Sequence, residues 1–283
     1  MICLLSNNHI VGIINSYIIF FVKTMIIDSH CHLNYLNLDD TTLSDVISDA
    51  KTNGVDKIVS IAVVWEEIDA IQSTAEEFED VFFSVGVHPS ELDCHQPTVD
   101  EIIAKSNHNK CVAIGETGLD YYYNGVETKG QQIDKFVNHM QAANHVNKPV
   151  IIHTRAAKQD TLDILKREKV GNCGGILHCF TEDYDMAKQA IDMGMYISFS
   201  GILTFKNAKD IQDVAKKLPL DRILIETDAP YLTPTPLRGR PNYPVYVKHV
   251  AEYLANLRGD SYDTIAQQTY KNTCDVFKLK GSI

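Results

Sequence analysis

Short apolar runs alternate with longer amphipathic segments from residue 25 to the end of the chain. The apolar runs lie at residues 26–28, 57–62, 81–87, 111–115, 149–153, 175–178, 196–200 and 222–226. Runs that do not alternate with polar residues are typical of strands buried on both faces of a parallel sheet. The segments between them carry apolar residues at helical spacing, as at Ile68, Ile71 and Ala75.

These elements predict an α/β fold, and specifically a single-domain (β/α)8 barrel of the TIM type. Helices are expected at residues 43–50, 66–78, 100–105, 131–145, 161–168, 185–193, 208–218, 244–257 and 262–277. Strand–helix repeats that continue along a whole chain of this size are typical of such barrels, which often use about 250 residues. An open doubly wound sheet is the alternative, but no GxGxxG or GxxxxGK[ST] motif indicates a nucleotide-binding loop.

Residues 1–24 precede this pattern and differ from it. Their apolar stretch, 10–22, is interrupted by Asn15 and Ser16 and is shorter than the about 20 apolar residues that a membrane span needs. A basic region and a small-residue cleavage site, which would indicate a secretory signal, are missing. We therefore expect residues 1–24 to be an extension outside the fold, such as a misplaced start codon would add. The barrel should occupy residues 25–283, without stable membrane association; a membrane anchor in residues 1–24 is the alternative.

Composition narrows the class of protein. The formal charge is -11, which argues against a protein that binds nucleic acid by charge alone. It does not exclude an enzyme that meets phosphates through bound cations. The chain has 7 cysteines, an odd number without a CxxC pair, so a reducing compartment is indicated. We expect a cytoplasmic monomer.

The ends of the predicted strands carry the candidate chemistry. Asp28, His30 and His32 alternate along the first strand, so their side chains point to the same side. Five further strand ends carry a histidine or a carboxylate, at 88, 116–120, 153–155, 178 and 226–228. In a barrel these ends face one shared pocket. A lone histidine there is usually structural, but six such ends would leave buried ionisable groups poorly paired unless a metal held them.

The residue types indicate what kind of metal site this is. Mixed histidine and carboxylate ligands suit catalytic divalent ions such as Mg, Mn, Zn or Co, and no cysteine array indicates a structural zinc site. Six ligands are too many for one ion that also keeps a water. Two ions about 3.5–4 Å apart fit better, and Glu116 is the natural bridge between them.

Seven motifs together resemble the TatD family of metal-dependent deoxyribonucleases, a branch of the amidohydrolase-like barrels. They are DSHCHL at 28–33, GVHP at 86–89, IGETGLDYY at 114–122, PVIIHTR at 149–155, HCF at 178–180, SFSG at 198–201 and ETDAPYL at 226–232. The chain departs from the family pattern where Ala156 follows Arg155. It also departs where Pro241 and Tyr243 occur in the loop after the last strand.

The resemblance implies a metal-dependent hydrolase that cleaves phosphodiester bonds of DNA, single-stranded or at ends, by exonucleolytic digestion. It implies two divalent ions (Mg, Mn or Zn). The first would be held by His30, His32 and Asp228 and the second by His153 and His178, with Glu116 contacting both.

Roles for other residues follow from their chemistry. Asp228 is the candidate to orient the attacking water and take its proton, alongside Glu116 in the catalytic centre. Arg155, Arg238 and Arg240 are candidate phosphate contacts, although a solvated surface loop is the alternative for them. His88 and Asp120 are candidates to orient the ligands. The tyrosines at 121–123 are candidates to stack on unpaired bases, although aromatic packing under a loop is expected for at least two of them.

Two other functions stay open at this stage. One is an amidohydrolase acting on a C–N or ester bond, including aminoacyl-tRNA deacylation. The other is a non-catalytic metal-binding protein that kept the barrel.

Overall fold

The computed structural model describes residues 24–123 and 125–281, together with the backbone of three short strands before residue 24. The strands are β1 (Leu4–Ser6), β2 (His9–Ile14), β3 (Tyr17–Val22), β4 (Ile26–Cys31), β5 (Val55–Ser60), β6 (Val81–Val85), β7 (Cys111–Asp120), β8 (Val150–Arg155), β9 (Gly175–Leu177), β10 (Tyr196–Phe199) and β11 (Ile223–Ile225). The helices are α1 (Leu43–Thr52), α2 (Ile68–Glu77), α3 (Val99–Lys105), α4 (Lys129–Val146), α5 (Lys158–Arg167), α6 (Tyr184–Asp192), α7 (Lys209–Lys217), α8 (Val247–Arg258) and α9 (Tyr262–Phe277).

Strands β4 to β11 form one 8-stranded sheet in which each strand is parallel to its neighbours in chain order. The sheet closes between its first and last strands. There the Asp228 amide donates to the His30 carbonyl at 2.9 Å, and the His32 amide donates to the Ala229 carbonyl at 2.7 Å. The prediction of a TIM-type (β/α)8 barrel is confirmed.

The helices lie close to the predicted positions because their ends carry clear signals. Thr42 and Thr98 each cap a helix, and each forms a capping box with the acidic residue three positions later. Strand β7 differs from the prediction, since it continues to Asp120 and not only to residue 115. The glycines of this segment hid the continuation, because glycine is uncommon inside a strand. In the structure Gly118 has φ +131°, and a Cβ there would lie 2.0 Å from the His153 carbonyl oxygen of β8. Only glycine permits this close pairing.

A small apolar cluster lies beneath the strand ends that carry the candidate ligands. It contains Ile151, Ile176 and Leu224, each two residues before a polar residue of the motifs. These side chains share a face with the polar ones, and Phe277 from the end of α9 packs against the same cluster. The candidate ligands therefore stand on a packed floor, not over an open channel.

Strands β1 to β3 pair antiparallel in a sheet of their own. The side chains of residues 1–23 lie outside the described residues, so the expectation that residues 1–24 are an extension outside the fold stays a prediction. Among the described residues, no helix is long and apolar enough to cross a membrane. The six cysteines of this part of the chain are free thiols.

Gln132 of α4 fixes the end of β7 from outside the barrel. Its side chain is fully buried; Oε1 accepts the Asp120 amide at 2.7 Å and Nε2 donates to the Asp120 carbonyl at 2.9 Å. One amide thus satisfies both backbone groups of the residue that ends the strand.

Replacing Gln132 with Leu should lower the free energy of unfolding by about 2–3 kcal/mol, because two buried backbone groups of Asp120 lose their partners. Urea unfolding monitored by circular dichroism measures this. Gln131→Leu is the matched control, since Gln131 is the exposed neighbour on the same helix. Equal stability of the two variants would show that Gln132 is not needed to hold the strand.

Candidate metal centre

A cavity of about 780 Å³ opens at the carboxyl ends of the barrel strands. The predicted ligands His32, Glu116, His153, His178 and Asp228 line it, and His30 lies buried next to them. The rim of this cavity carries Tyr35, Tyr123, Arg155 and Tyr231. All six side chains that the sequence proposes as metal ligands are therefore brought together, from strands β4, β7 and β8 and from the segments directly after β4, β9 and β11.

Glu116 lies at the centre of this group and is almost fully buried. Its Oε1 lies 2.6 Å from Nε2 of His178 and 3.2 Å from Nδ1 of His153. Its Oε2 lies 3.4 Å from Nε2 of His30 and 4.0 Å from Nε2 of His32. Oε1 also lies 3.4 Å from Nε2 of His88. The two oxygens of one carboxylate thus face two separate groups of imidazoles.

Asp228 closes the side of the centre that faces His30 and His32. Its Oδ1 lies 3.3 Å from Nε2 of His32 and 3.6 Å from Nε2 of His30. The backbone of Asp228 has φ 57°, a left-handed conformation that turns the chain directly after β11. That turn directs the Asp228 carboxylate into the cavity, while the Asp228 N–H donates to the His30 carbonyl of β4.

The pKa values of the side chains in the centre are shifted because the side chains are buried and lie close to one another. Burial would raise the pKa of Glu116, but the imidazoles of His178 and His88 outweigh it and hold that pKa well below its ordinary value. Burial and the nearby His178 ring lower the pKa of His30. For His178, the carboxylate of Glu116 outweighs burial and raises the pKa well above its usual range. The site thus favours a charged Glu116 carboxylate beside a protonated His178 ring, with His30 neutral.

The residues fit divalent metal ions. Both ring nitrogens of His30 and of His178 are buried, and within the described residues none of them makes a hydrogen bond of good geometry, although Nε2 of His178 lies 2.6 Å from Oε1 of Glu116. Buried polar nitrogens without partners are costly, and a coordinated cation would satisfy them. Three groups of side chains have their ligand atoms within 4.8 Å of one another: His30 with His32 and Asp228, His88 with Glu116 and His153, and His30 with His178 and Glu226. Nitrogen and carboxylate oxygen donors of this kind suit Zn, Mn and related ions.

Residues 27–278 match the protein family described as TatD related DNase. The chain belongs to the TatD family. The metal-dependent hydrolase YcfH of Escherichia coli K12 is 44% identical over 260 residues, which cover 91% of this chain and 97% of YcfH. The metal-dependent hydrolase YabD of Bacillus subtilis is 41% identical over 256 residues, covering 90% of this chain and 100% of YabD.

A solved structure agrees with this membership. The TatD homologue YjjV of Escherichia coli K12 superimposes with a TM-score of 0.81 at 28% identity, covering 90% of this chain and 98% of that one. The protein is therefore a TatD-family metal-dependent hydrolase with histidine and carboxylate clusters that can hold metal.

Two residues near the centre of this TatD-family barrel have closer contacts than the sequence indicated. His88, expected to orient ligands, has Nε2 3.4 Å from Glu116 Oε1, the same separation as between His30 Nε2 and Glu116 Oε2. Glu226 was not proposed for any role, yet it is fully buried below His178. Its Oε1 accepts the Cys179 amide at 2.7 Å. The spacing of Glu226 and Asp228, two residues apart at a strand end, was the available signal.

The three candidate phosphate contacts lie in different surroundings. Arg155 lines the cavity, with its guanidinium carbon 3.9 Å from the centre of the Tyr122 ring. Arg238 stacks instead on Phe205 at 3.8 Å and donates to the Thr233 carbonyl. Arg238 and Arg240 are not among the residues that line the cavity, so phosphate contact by this pair stays a prediction.

Helix α4 supports the loop that carries His88. Lys135 donates from Nζ to the carbonyls of His88 at 2.9 Å and Glu91 at 2.5 Å. His139, fully buried one turn later, accepts the Val87 amide on Nε2 at 3.1 Å and pairs through Nδ1 with the Lys135 carbonyl at 2.8 Å. Burial lowers the pKa of His139 to about 4.

The lowered pKa of His139 predicts that acidification destabilises the fold. An unfolded histidine takes up its proton near pH 6.5, whereas folded His139 does so only near pH 4, so acidification between these values favours unfolding. The wild type should lose about 3 kcal/mol more than His139→Gln between pH 6.5 and pH 4. Urea unfolding across this pH range measures the difference. His145→Gln, at an exposed position of α4, is the control and should follow the wild type.

Proposed function

We propose that this protein is a deoxyribonuclease that hydrolyses phosphodiester bonds of single-stranded DNA or DNA ends with two divalent cations. The observation that carries the proposal is the position of Glu116, whose two oxygens face two separate groups of imidazoles. A carboxylate in that position suits a bridge between two cations, and paired cations are a recurring solution for phosphodiester hydrolysis.

The ligand assignment follows the two oxygens. His30, His32 and Asp228 would hold one cation, His153 and His178 the other, and Glu116 would contact both. When bound, divalent cations supply Lewis acidity to a phosphodiester and make water a better nucleophile near neutral pH.

Asp228 is suited to orient the attacking water and to accept its proton. Burial would raise its pKa, but the hydrogen bond with His32 and the charge of His30 hold the pKa below its ordinary value. Asp228 is therefore a carboxylate at neutral pH, and it keeps 13% of its side chain exposed at the cavity wall. A charged acceptor that water can reach is what proton removal requires.

The rim suits a strand with unpaired bases. Tyr122 and Tyr123 expose 65% and 69% of their surface, and Tyr231 exposes 54%. Aromatic rings of this kind stack on nucleobases without reading their sequence. The Arg155 guanidinium lies beside them and matches the geometry of a phosphate. With a net charge of -11, the chain would hold DNA through this local site and not by its overall field.

Glu116→Gln should reduce hydrolysis of end-labelled single-stranded DNA at least ~10³-fold, because the bridging charge supports several kcal/mol of metal catalysis. The assay removes metal with a chelator and then adds back Mg²⁺, Mn²⁺ or Zn²⁺. Metal content is measured in parallel and should fall with the activity. Glu77→Gln, on the exposed face of α2, is the control that keeps wild-type turnover.

Other outcomes of the same assay separate the alternatives. Near-normal turnover by Glu116→Gln would contradict a bridging role. Hydrolysis of a cyclic amide or an aminoacyl ester by the wild type, without cleavage of DNA, would favour the amidohydrolase alternative. Metal binding without hydrolysis of any of these substrates would favour a non-catalytic protein.

Arg155→Lys should raise KM for single-stranded DNA about tenfold with a smaller effect on kcat, because lysine cannot donate in a bidentate fashion or stack on Tyr122 in the same way. Steady-state kinetics on a labelled oligonucleotide measure both constants. Arg167→Lys, a surface change on α5, should leave both unchanged. An unaltered KM in Arg155→Lys would remove this residue from the substrate site.

A further inference from the structure

Asp120, the last residue of β7, carries a fully buried carboxylate whose two oxygens have different partners. Oδ2 lies 2.9 Å from Nε2 of His153. Oδ1 accepts the backbone amides of Tyr122 and Tyr123, each at 2.9 Å. The residue does not line the cavity, so it cannot touch a substrate there. Its carboxylate contacts one candidate metal ligand, His153, and the backbone of Tyr122 and Tyr123 at the rim of the cavity.

The contact between Asp120 and His153 determines which nitrogen of His153 is free. A neutral imidazole carries one proton, and the carboxylate of Asp120 favours that proton on Nε2. The opposite nitrogen, Nδ1, lies 3.2 Å from Oε1 of Glu116 and faces the centre. A cation bound there would take the Nδ1 lone pair and leave the ring proton on Nε2, facing Asp120. His153 is therefore prepared to bind a cation through Nδ1.

The other candidate histidines are not held in this way. His32 pairs through Nδ1 with a backbone carbonyl, that of Ile61, at 3.2 Å. No nitrogen of His30 or His178 makes a hydrogen bond of good geometry within the described residues, although Nδ1 of His178 lies 3.4 Å from Oε1 of the buried Glu226. Among the proposed ligands described here, His153 thus has the closest carboxylate on the side of the ring that faces away from the centre, at 2.9 Å against 3.4 Å for His178.

We propose that Asp120 is a positioning residue that fixes the tautomer of His153 and thereby strengthens one of the two cation sites, the one held with His178. This inference rests on the proposed assignment of His153 as a metal ligand. Partners of metal-binding histidines typically change metal affinity about 10–100-fold when they are removed.

Asp120→Asn tests the tautomer with little change in shape. The two amides of Tyr122 and Tyr123 require an acceptor, so the Asn oxygen should stay on their side. The Asn NH₂ group would then face His153 and donate to Nε2. That donation would move the imidazole proton to Nδ1, the nitrogen needed for the cation.

The experiment titrates chelator-treated full-length protein with Mn²⁺ and with Zn²⁺ by calorimetry. Asp120→Asn should weaken one of two sites about 10–100-fold and change the other less than about twofold. Asp160→Asn is the matched control, since Asp160 pairs with Tyr121 and Lys129 on the same rim without contacting a candidate ligand. Nitrogen-15 NMR should show the His153 proton on Nε2 in the Zn²⁺-loaded wild type and on Nδ1 in the metal-free Asp120→Asn variant.

Each other result has a defined meaning. If His153→Ala leaves both affinities unchanged, the proposed ligand assignment fails. If His153→Ala weakens one site and Asp120→Asn weakens neither, the assignment stands and the role of Asp120 is wrong. Should Asp120→Asn not fold, the spectrum of the Zn²⁺-loaded wild type still decides, because a proton on Nδ1 of His153 in that protein would overturn the inference.

Discussion

One buried carboxylate surrounded by imidazoles is the constraint on which this structure depends. Glu116 is nearly inaccessible to solvent, and five histidine rings have a nitrogen within 4.0 Å of its oxygens. Taking such groups out of water costs several kcal/mol per charge unless opposite charge and close contacts compensate. The barrel supplies that compensation by ending several strands around one point, which explains why the charged residues of the chain's motifs occur at strand ends.

The same motifs also close the barrel. Asp28 shares a strand face with His30 and His32, yet it faces the seam between the first and last strands. Its carboxylate accepts the Thr227 amide at 2.8 Å and the Thr227 hydroxyl at 2.6 Å. Burial raises the pKa of Asp28 to about 8, so the seam holds a carboxyl group outside its ordinary range. Residues of the first and last motifs therefore position His30 and Asp228 by joining the two strands that carry them.

Support for the centre also comes from helix α4, behind the sheet. Three polar side chains at successive turns of that helix, Gln132, Lys135 and His139, are almost fully buried. They hydrogen-bond to the backbone at the ends of β6 and β7, and not to one another's side chains. An apolar helix face would pack there without fixing where those backbone groups lie. The polar face sets the positions of His88 and Asp120. Residues that bind metal or substrate need such supporting hydrogen bonds to hold them in place.

The sequence by itself determined the barrel fold and which residues meet in the candidate metal centre. Non-alternating apolar runs imply buried parallel strands, and parallel strands joined by helices place their carboxyl ends together, so His30, Glu116, His178 and Asp228 were predictable as neighbours. Which atoms face one another could not be read in this way, because it depends on side-chain rotation and on turns such as the left-handed one at Asp228. Only the tertiary structure decided that the two oxygens of Glu116 divide the histidines into two groups. It also decided that Arg238 stacks on Phe205 outside the cavity lining and that Asp120 hydrogen-bonds to the His153 ring. The physical reason is that periodicity fixes the face of a strand on which a residue lies, whereas distances between side chains from distant segments depend on how the whole barrel packs.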